Sequence, residues 1–168
     1  KKKGPVMKLK TFNKNLIVYE LRNLAGNPFI AFFGIVFPIL LLFIITNALK
    51  LQVPANMLVE SNTGVFITMS LIIPMAIVLL GHSANYSQEL EKEIPMRMKL
   101  FGYSESSMMW AKAIAQIVVL TIGLIVYTVL SYSLLKLERP SVSSACCLIL
   151  CLYLSGVLFF VFAHAIAS

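Results

Sequence analysis

Four long stretches without a charged residue constrain this chain more than any other feature. They cover residues 28–46, 63–88, 113–135 and 140–168. A hydrocarbon core about 30 Å thick needs roughly 20 helical residues to cross it, and each stretch reaches about that length. The period-two alternation that predicts strands of a membrane barrel is absent. The sequence therefore predicts an all-α, polytopic transmembrane helical bundle with four spans.

The composition excludes a water-soluble domain. Hydrophobic residues make up 59% of the chain and charged residues 12%, whereas soluble domains average about 45–50% and about 25%. The formal net charge is +7, but nucleic-acid binding would require a basic face on a folded soluble domain. No nucleic-acid partner is expected.

The basic residues predict how the chain is oriented in the membrane. The two connections that would share the other side carry Lys50, and Lys136 with Arg139. The remaining basic residues precede the first stretch or follow the second: Lys1, Lys2, Lys3, Lys8, Lys10, Lys14, Arg22, Lys92, Arg97, Lys99 and Lys112. By the positive-inside rule, the N-terminus and the loop after the second span are cytoplasmic.

These boundaries predict two regions. Residues 1–27 form a cytoplasmic basic N-terminal segment, with an interfacial or partner-contact helix over 11–27. Residues 28–168 form the transmembrane domain of a multi-pass protein of the plasma membrane. Its spans are predicted at about 28–47, 63–85, 110–135 and 142–166, with a cytoplasmic coupling loop at about 86–109.

The loop after the second span contains signals for a short separate helix. Pro95 ends the preceding helix and can occupy the first turn of a new one, because a first-turn residue needs no free amide hydrogen. Gly102 can end that helix in the left-handed conformation. Ser104 is a candidate N-cap for the third span. These signals predict a short crosswise helix over residues 96–101.

This short helix combines apolar and basic side chains, which allows two interpretations. It could dock into a groove of a cytoplasmic partner, or it could be a solvated connector near anionic headgroups. The candidate partner-coupling residues are Glu91, Glu93, Pro95, Met96, Arg97, Met98, Lys99 and Phe101.

Polar residues within the spans are the other candidates for function, because lipid offers them no hydrogen-bond partner. Gln116, Gly123, Tyr127 and Ser131 fall on one stripe of the third helix. The stripe could line a transport path, form a dimer seam, or serve ordinary helix packing.

Two prolines lie near the middle of their spans. Pro38 and Pro74 each free a backbone carbonyl, which makes them candidate hinges. No catalytic, cofactor or metal site is predicted for this chain. The cysteines lack zinc-ligand spacing, and a Cys151–His164 pair would be separated by about 20 Å along one helix.

Several motifs together resemble a known family. Residues 21–38 read LRNLAGNPFIAFFGIVFP, with an Asn-Pro entry and a proline inside the first span. The loop contains EKEIPMR at 91–97, FGYS at 101–104 and Ala111-Lys112. These features resemble the permease subunits of type-2 ABC exporters. The family often has Gly-Thr where this chain has Ile94 and Pro95, and its members usually have six spans.

The resemblance implies a permease subunit of an ATP-driven exporter, of the kind found in the bacterial inner membrane. It implies a second permease, identical or different, and a separate nucleotide-binding ATPase subunit that carries ATP and magnesium. The sequence has no Gly-x-x-x-x-Gly-Lys-Ser/Thr loop, so ATP hydrolysis is expected on that partner. The resemblance also leads us to expect two further spans after residue 168. The alternative is a non-transporting membrane scaffold or accessory subunit.

Overall fold

The computed structural model describes residues 14–167, and this part of the chain contains helices and no strands. The prediction of an all-α bundle with four spans is confirmed. The predictions that concern residues 1–13 and 168, including most of the N-terminal lysines, lie outside the described residues. The six helices are α1 (Lys14–Ala25), α2 (Pro28–Leu49), α3 (Leu58–Glu91), α4 (Ile94–Leu100), α5 (Glu105–Leu134) and α6 (Val142–Ala167).

Helices α2, α3, α5 and α6 are long and apolar enough to cross a membrane. Helix α3 continues to Glu91 and α5 starts at Glu105, so both extend beyond the stretches that hydropathy alone marks as spans. The loop that contains α4 is therefore short and is flanked by a helix on each side.

The first span begins with a local capping arrangement. The Asn27 side chain accepts a hydrogen bond from the Phe29 amide at 2.9 Å, and Pro28 occupies the first turn. The amide hydrogens at the start of a helix have no partner within the helix, so the cap satisfies one of them. This explains why the helix starts directly after the Asn-Pro pair.

Both mid-span prolines adjoin a wider helical turn. A π-helical stretch, Phe32–Val36, precedes Pro38 in α2, and a second one, Met75–Leu80, follows Pro74 in α3. Proline has no amide hydrogen, so the regular hydrogen-bond ladder of the α-helix is interrupted where it occurs. A π-helical stretch is a second local departure from that ladder. Both prolines are buried in the bundle, and their role as hinges remains a prediction.

Ile77 of α3 belongs to the apolar core of the bundle and is fully buried. A Cβ added at Gly34 would lie 2.4 Å from Ile77 Cγ1, and one added at Gly123 would lie 2.9 Å from Ile77 Cδ1. Helices α2 and α5 therefore approach α3 closely only because both positions lack a side chain. The π-helical stretch of α3 is thus held from two sides.

Candidate functional site

The loop between α3 and α5 contains the short helix α4. Glu93 adopts a left-handed conformation with φ 55°, and α4 starts directly after it with Pro95 in its first turn. Gly102 follows with φ 90°, and the Ser104 hydroxyl accepts a hydrogen bond from the Ser107 amide at 3.1 Å. Helix α4 begins at Ile94, two residues earlier than the sequence predicted. It ends at Leu100, one residue earlier than predicted.

Helix α4 presents two different faces. Met98 is half-buried and packs against an apolar cluster that consists of Leu16 of α1 and Met108 and Ala111 of α5. On the outward side, Met96 is 64% exposed, and Leu100 and Phe101 are 83% and 77% exposed. We refer to these three exposed side chains, Met96 and Leu100 of α4 and Phe101 directly after it, as the α4 apolar face.

The charged candidates of the loop lie mostly in solvent. Glu91, Glu93 and Arg97 are exposed. Lys99 pairs with Glu105 at the start of α5, and both side chains are largely exposed. Exposed ion pairs contribute little to stability, so Lys99 and Arg97 remain available to a partner surface.

A buried group of charges lies behind this loop, and sequence reasoning did not find it. Lys112 Nζ on α5 lies 2.5 Å from Glu89 Oε2 on α3 and 3.0 Å from Glu20 Oε1 on α1. The exposed fractions of the three side chains are only 5–7%. We refer to Glu20, Glu89 and Lys112 as the Lys112 cluster.

Neighbouring polar groups complete the cluster. Asn23 of α1 donates a hydrogen bond to Glu89 Oε1 at 3.0 Å. Asn27 donates one to Asn85 Oδ1 at 2.7 Å, which again joins the N-terminal region to α3. The Lys112 ammonium also lies 5.6 Å from the centre of the Tyr86 ring, a distance at which a cation–π interaction is favourable. Three helices are thereby tied together at one point.

The charges of the cluster do not balance, since one lysine faces two carboxylates. Burial raises the pKa of Glu20, the Lys112 charge opposes this effect, and the negative charge of Glu89 adds to it. Desolvating a carboxylate is expensive, so a buried ion pair holds its elements together mainly because separating the partners would leave charges unpaired. The cluster is therefore a specific and sensitive connection between α1, α3 and α5.

Local sequence patterns gave no direct signal for this connection. Glu20 and Lys112 are distant in the sequence, and no local pattern distinguishes buried Glu89 from exposed Glu93 four residues further on. The one available hint was helical spacing on α1. Leu16, Glu20 and Leu24 recur every four residues and form its buried face, where an acidic residue between two leucines calls for a cationic partner.

The polar stripe of α5 lies inside the bundle. The Tyr127 hydroxyl donates a hydrogen bond to the Phe66 carbonyl at 2.9 Å, and the two rings are stacked. The Ser131 hydroxyl bonds back to the Tyr127 carbonyl at 2.6 Å, while Gly123 contacts Ile77. In this arrangement these residues pack spans together within one chain. Gln116 is also buried, but its Oε1 atom has no hydrogen-bond partner among the described residues.

The two histidines come together near the same end of the bundle. The rings of His82 and His164 are 6.1 Å apart, and Tyr86 lies 4.7 Å from His164. This is an aromatic contact between α3 and α6, and no group of three or more metal-ligating side chains occurs within residues 14–167. Cys151 is exposed on α6.

Comparison with known families identifies the class of protein. The profile of the ABC-2 type transporter family matches residues 13–168, which is nearly the whole chain. The chain therefore belongs to the ABC-2 type transporter membrane family, whose members are the permease components of ABC transporters. The resemblance noted from the sequence motifs is confirmed. Neither the search of curated proteins nor that of solved structures gives a match.

Proposed function

We propose that this chain is the membrane-spanning permease subunit of an ATP-driven exporter, moved by a separate nucleotide-binding subunit that docks on α4. The observation that carries the proposal is the α4 apolar face. Large apolar side chains that a cytoplasmic loop leaves exposed mark an interaction surface. An amphipathic helix commonly buries such side chains by docking into an apolar groove of its partner.

The surroundings of α4 suit a partner that pushes or pulls on it. The helix is short and sits between the rigid ends of α3 and α5. Met98 fixes its inner side to α1 and α5 through apolar contacts. A displacement of α4 would therefore be passed to the spans and not absorbed by a flexible loop.

The Lys112 cluster provides a second connection for the same movement. It joins α1 to α3 and α5, so the N-terminal helix and the two spans that flank the loop would move together. The buried prolines of α2 and α3, each beside a π-helical stretch, would then be the places where the spans bend. In this proposal, ATP and magnesium bind to the partner, and the permease works as a dimer in the plasma membrane.

Co-purification with the ATPase subunit tests the docking step. Charge reversal at Arg97 (Arg97→Glu) should reduce the amount of ATPase that co-purifies, because Arg97 is exposed beside the α4 apolar face. Arg139→Glu is the matched control, since Arg139 is also exposed but lies on the predicted opposite side of the membrane. An Arg97→Glu permease that retains as much ATPase as the Arg139→Glu control would contradict the docking step.

A further inference from the structure

The segment between α5 and α6 is extended and packs back onto the bundle. The chain leaves α5 at Leu135 with φ −125° and ψ 147°, and it stays non-helical until α6 begins. In an extended segment, successive side chains point to opposite sides. Leu135 and Leu137 accordingly pack against the apolar core of the bundle. Lys136 and Glu138, which alternate with them, are exposed. We refer to residues 135–138 as the strap.

Both backbone groups of Glu138 are bound by side chains of two different spans. Its amide donates a hydrogen bond of 3.0 Å to the Thr63 hydroxyl of α3, and its carbonyl accepts one of 3.1 Å from the Tyr132 hydroxyl of α5. The Thr63 hydroxyl in turn donates to the Val59 carbonyl at 2.8 Å. The Tyr132 ring packs edge-on against Phe66 of α3, with 5.7 Å between the ring centroids. The strap thereby connects α3 to α5.

The strap lies at the opposite end of α5 from α4. The 30 residues of α5 separate the two, which corresponds to about 45 Å of helix. Helices α3 and α5 are therefore connected at both ends, by the loop that contains α4 and by the strap. Between these connections α3 contains Pro74 and the π-helical stretch Met75–Leu80, where its regular hydrogen-bond ladder is interrupted. A bend of α3 at this point would displace Thr63 relative to α5.

The attachment of the strap is of a kind that opens easily. The strap has no regular secondary structure, and its leucines are only partly buried. Segments with few buried contacts open locally at a low free energy, and elements that move belong to this class. We propose that the strap connects the ends of α3 and α5 that lie away from α4 in the resting transporter, and that it detaches from Thr63 when the ATPase moves α4. This inference rests on the proposed function, because it requires a partner that displaces α4.

The rate of thiol labelling at residue 137 tests the attachment. Leu137→Cys is introduced into the full-length permease, whose native cysteines are changed to serine, and its reaction with a maleimide is followed by mass spectrometry. Thr63→Val removes the acceptor of the Glu138 amide. It should increase the labelling rate about fivefold, the factor that corresponds to a hydrogen bond of about 1 kcal/mol. Thr68→Val is the matched control and should leave the rate unchanged, since the Thr68 hydroxyl donates within α3 to the Gly64 carbonyl at 2.9 Å.

Every variant carries the same cysteine, so the effect of that cysteine on the strap is common to all of them. Tyr132→Phe removes the other hydrogen bond of Glu138; it should also increase the rate and replaces Thr63→Val if that variant does not fold. Equal labelling rates in a folded hydrogen-bond variant and in Thr68→Val would contradict the attachment. This comparison needs no ATPase subunit.

ATP hydrolysis by the assembled transporter tests the release. The labelling rate of Leu137→Cys should rise during hydrolysis and approach that of Lys136→Cys, which replaces an exposed side chain of the strap. An unchanged rate at Leu137→Cys in a complex that hydrolyses ATP would overturn the release. Failure of the docking step is recognised separately, because co-purification of the Arg97→Glu permease with the ATPase does not depend on the strap.

Discussion

Removing the charge of Lys112 should strongly destabilise the bundle. In Lys112→Met the two carboxylates of the Lys112 cluster, on side chains no more than 7% exposed, would lose their shared cation. Removing one partner of a buried ion pair costs about 3–5 kcal/mol, because the remaining charge stays desolvated and unpaired. Here two carboxylates remain, so we expect a loss of unfolding free energy in this range.

Neutralising all three side chains of the cluster distinguishes two effects of Lys112→Met: the loss of the electrostatic attraction, and the cost of leaving buried carboxylates without a cation. The triple variant Glu20→Gln, Glu89→Gln, Lys112→Met contains no buried charge at this point, so most of the lost stability should return, to within about 1–2 kcal/mol of the native protein. Lys99→Met is the matched control and should have no measurable effect, since Lys99 and its partner are largely exposed.

Unfolding can be followed in mixed micelles by the fluorescence of Trp110, which is the sole tryptophan and lies two residues from Lys112. Helical content measured by circular dichroism on the same samples reports global unfolding. The reasoning is refuted if Lys112→Met is as stable as the Lys99→Met control. It is also refuted if the triple variant is as unstable as Lys112→Met alone.

Three further predictions concern packing, hydrogen bonding and pH. Gly34→Ala should reduce the unfolding free energy by about 1–3 kcal/mol, because its Cβ overlaps a buried isoleucine and overpacking has this cost. Gly64→Ala should not destabilise, because a Cβ there meets nothing within 4 Å, and thermal unfolding compares the two. Tyr127→Phe keeps the stacked ring but removes the hydrogen bond to the Phe66 carbonyl; it should cost about 1 kcal/mol in the same assay. The pKa of Glu20 is raised above 4.5 by burial, despite the opposing lysine, so the folded state binds a proton more tightly than the unfolded state. Docking of α1 should therefore strengthen as the pH falls from neutral toward 4.5 and weaken as the pH rises through the raised pKa. Hydrogen exchange of α1 should show this dependence, and Glu20→Gln should flatten it.

The parts of the structure that the sequence predicted are those determined by local residues. Uncharged length predicts a span, and Pro95, Gly102 and Ser104 each act on their own stretch of backbone. These signals were sufficient for the four spans and for the position of the turn around α4. The apolar composition of α4 also indicated an interaction surface, although which side chains face outward depends on how α1 and α5 pack against it.

The Lys112 cluster could not be predicted in the same way, because its members come from three helices. Glu89 and exposed Glu93 are the same residue type four residues apart, but Glu89 lies in α3 against α1, whereas Glu93 follows the end of α3 in a left-handed conformation. The polar stripe of α5 shows the same limit. Tyr127 faces Phe66 in α3, and helical periodicity identifies a stripe but not the surface that it contacts.

Site-specific crosslinking in the assembled transporter tests the central claim most directly. A photoreactive phenylalanine analogue at Phe101, which is 77% exposed in the α4 apolar face, should crosslink to the ATPase subunit. The same group at Leu51, which is 89% exposed between α2 and α3, should not reach that subunit. Crosslinking of the ATPase from Leu51, or its absence at Phe101 in a complex that hydrolyses ATP, would contradict the account.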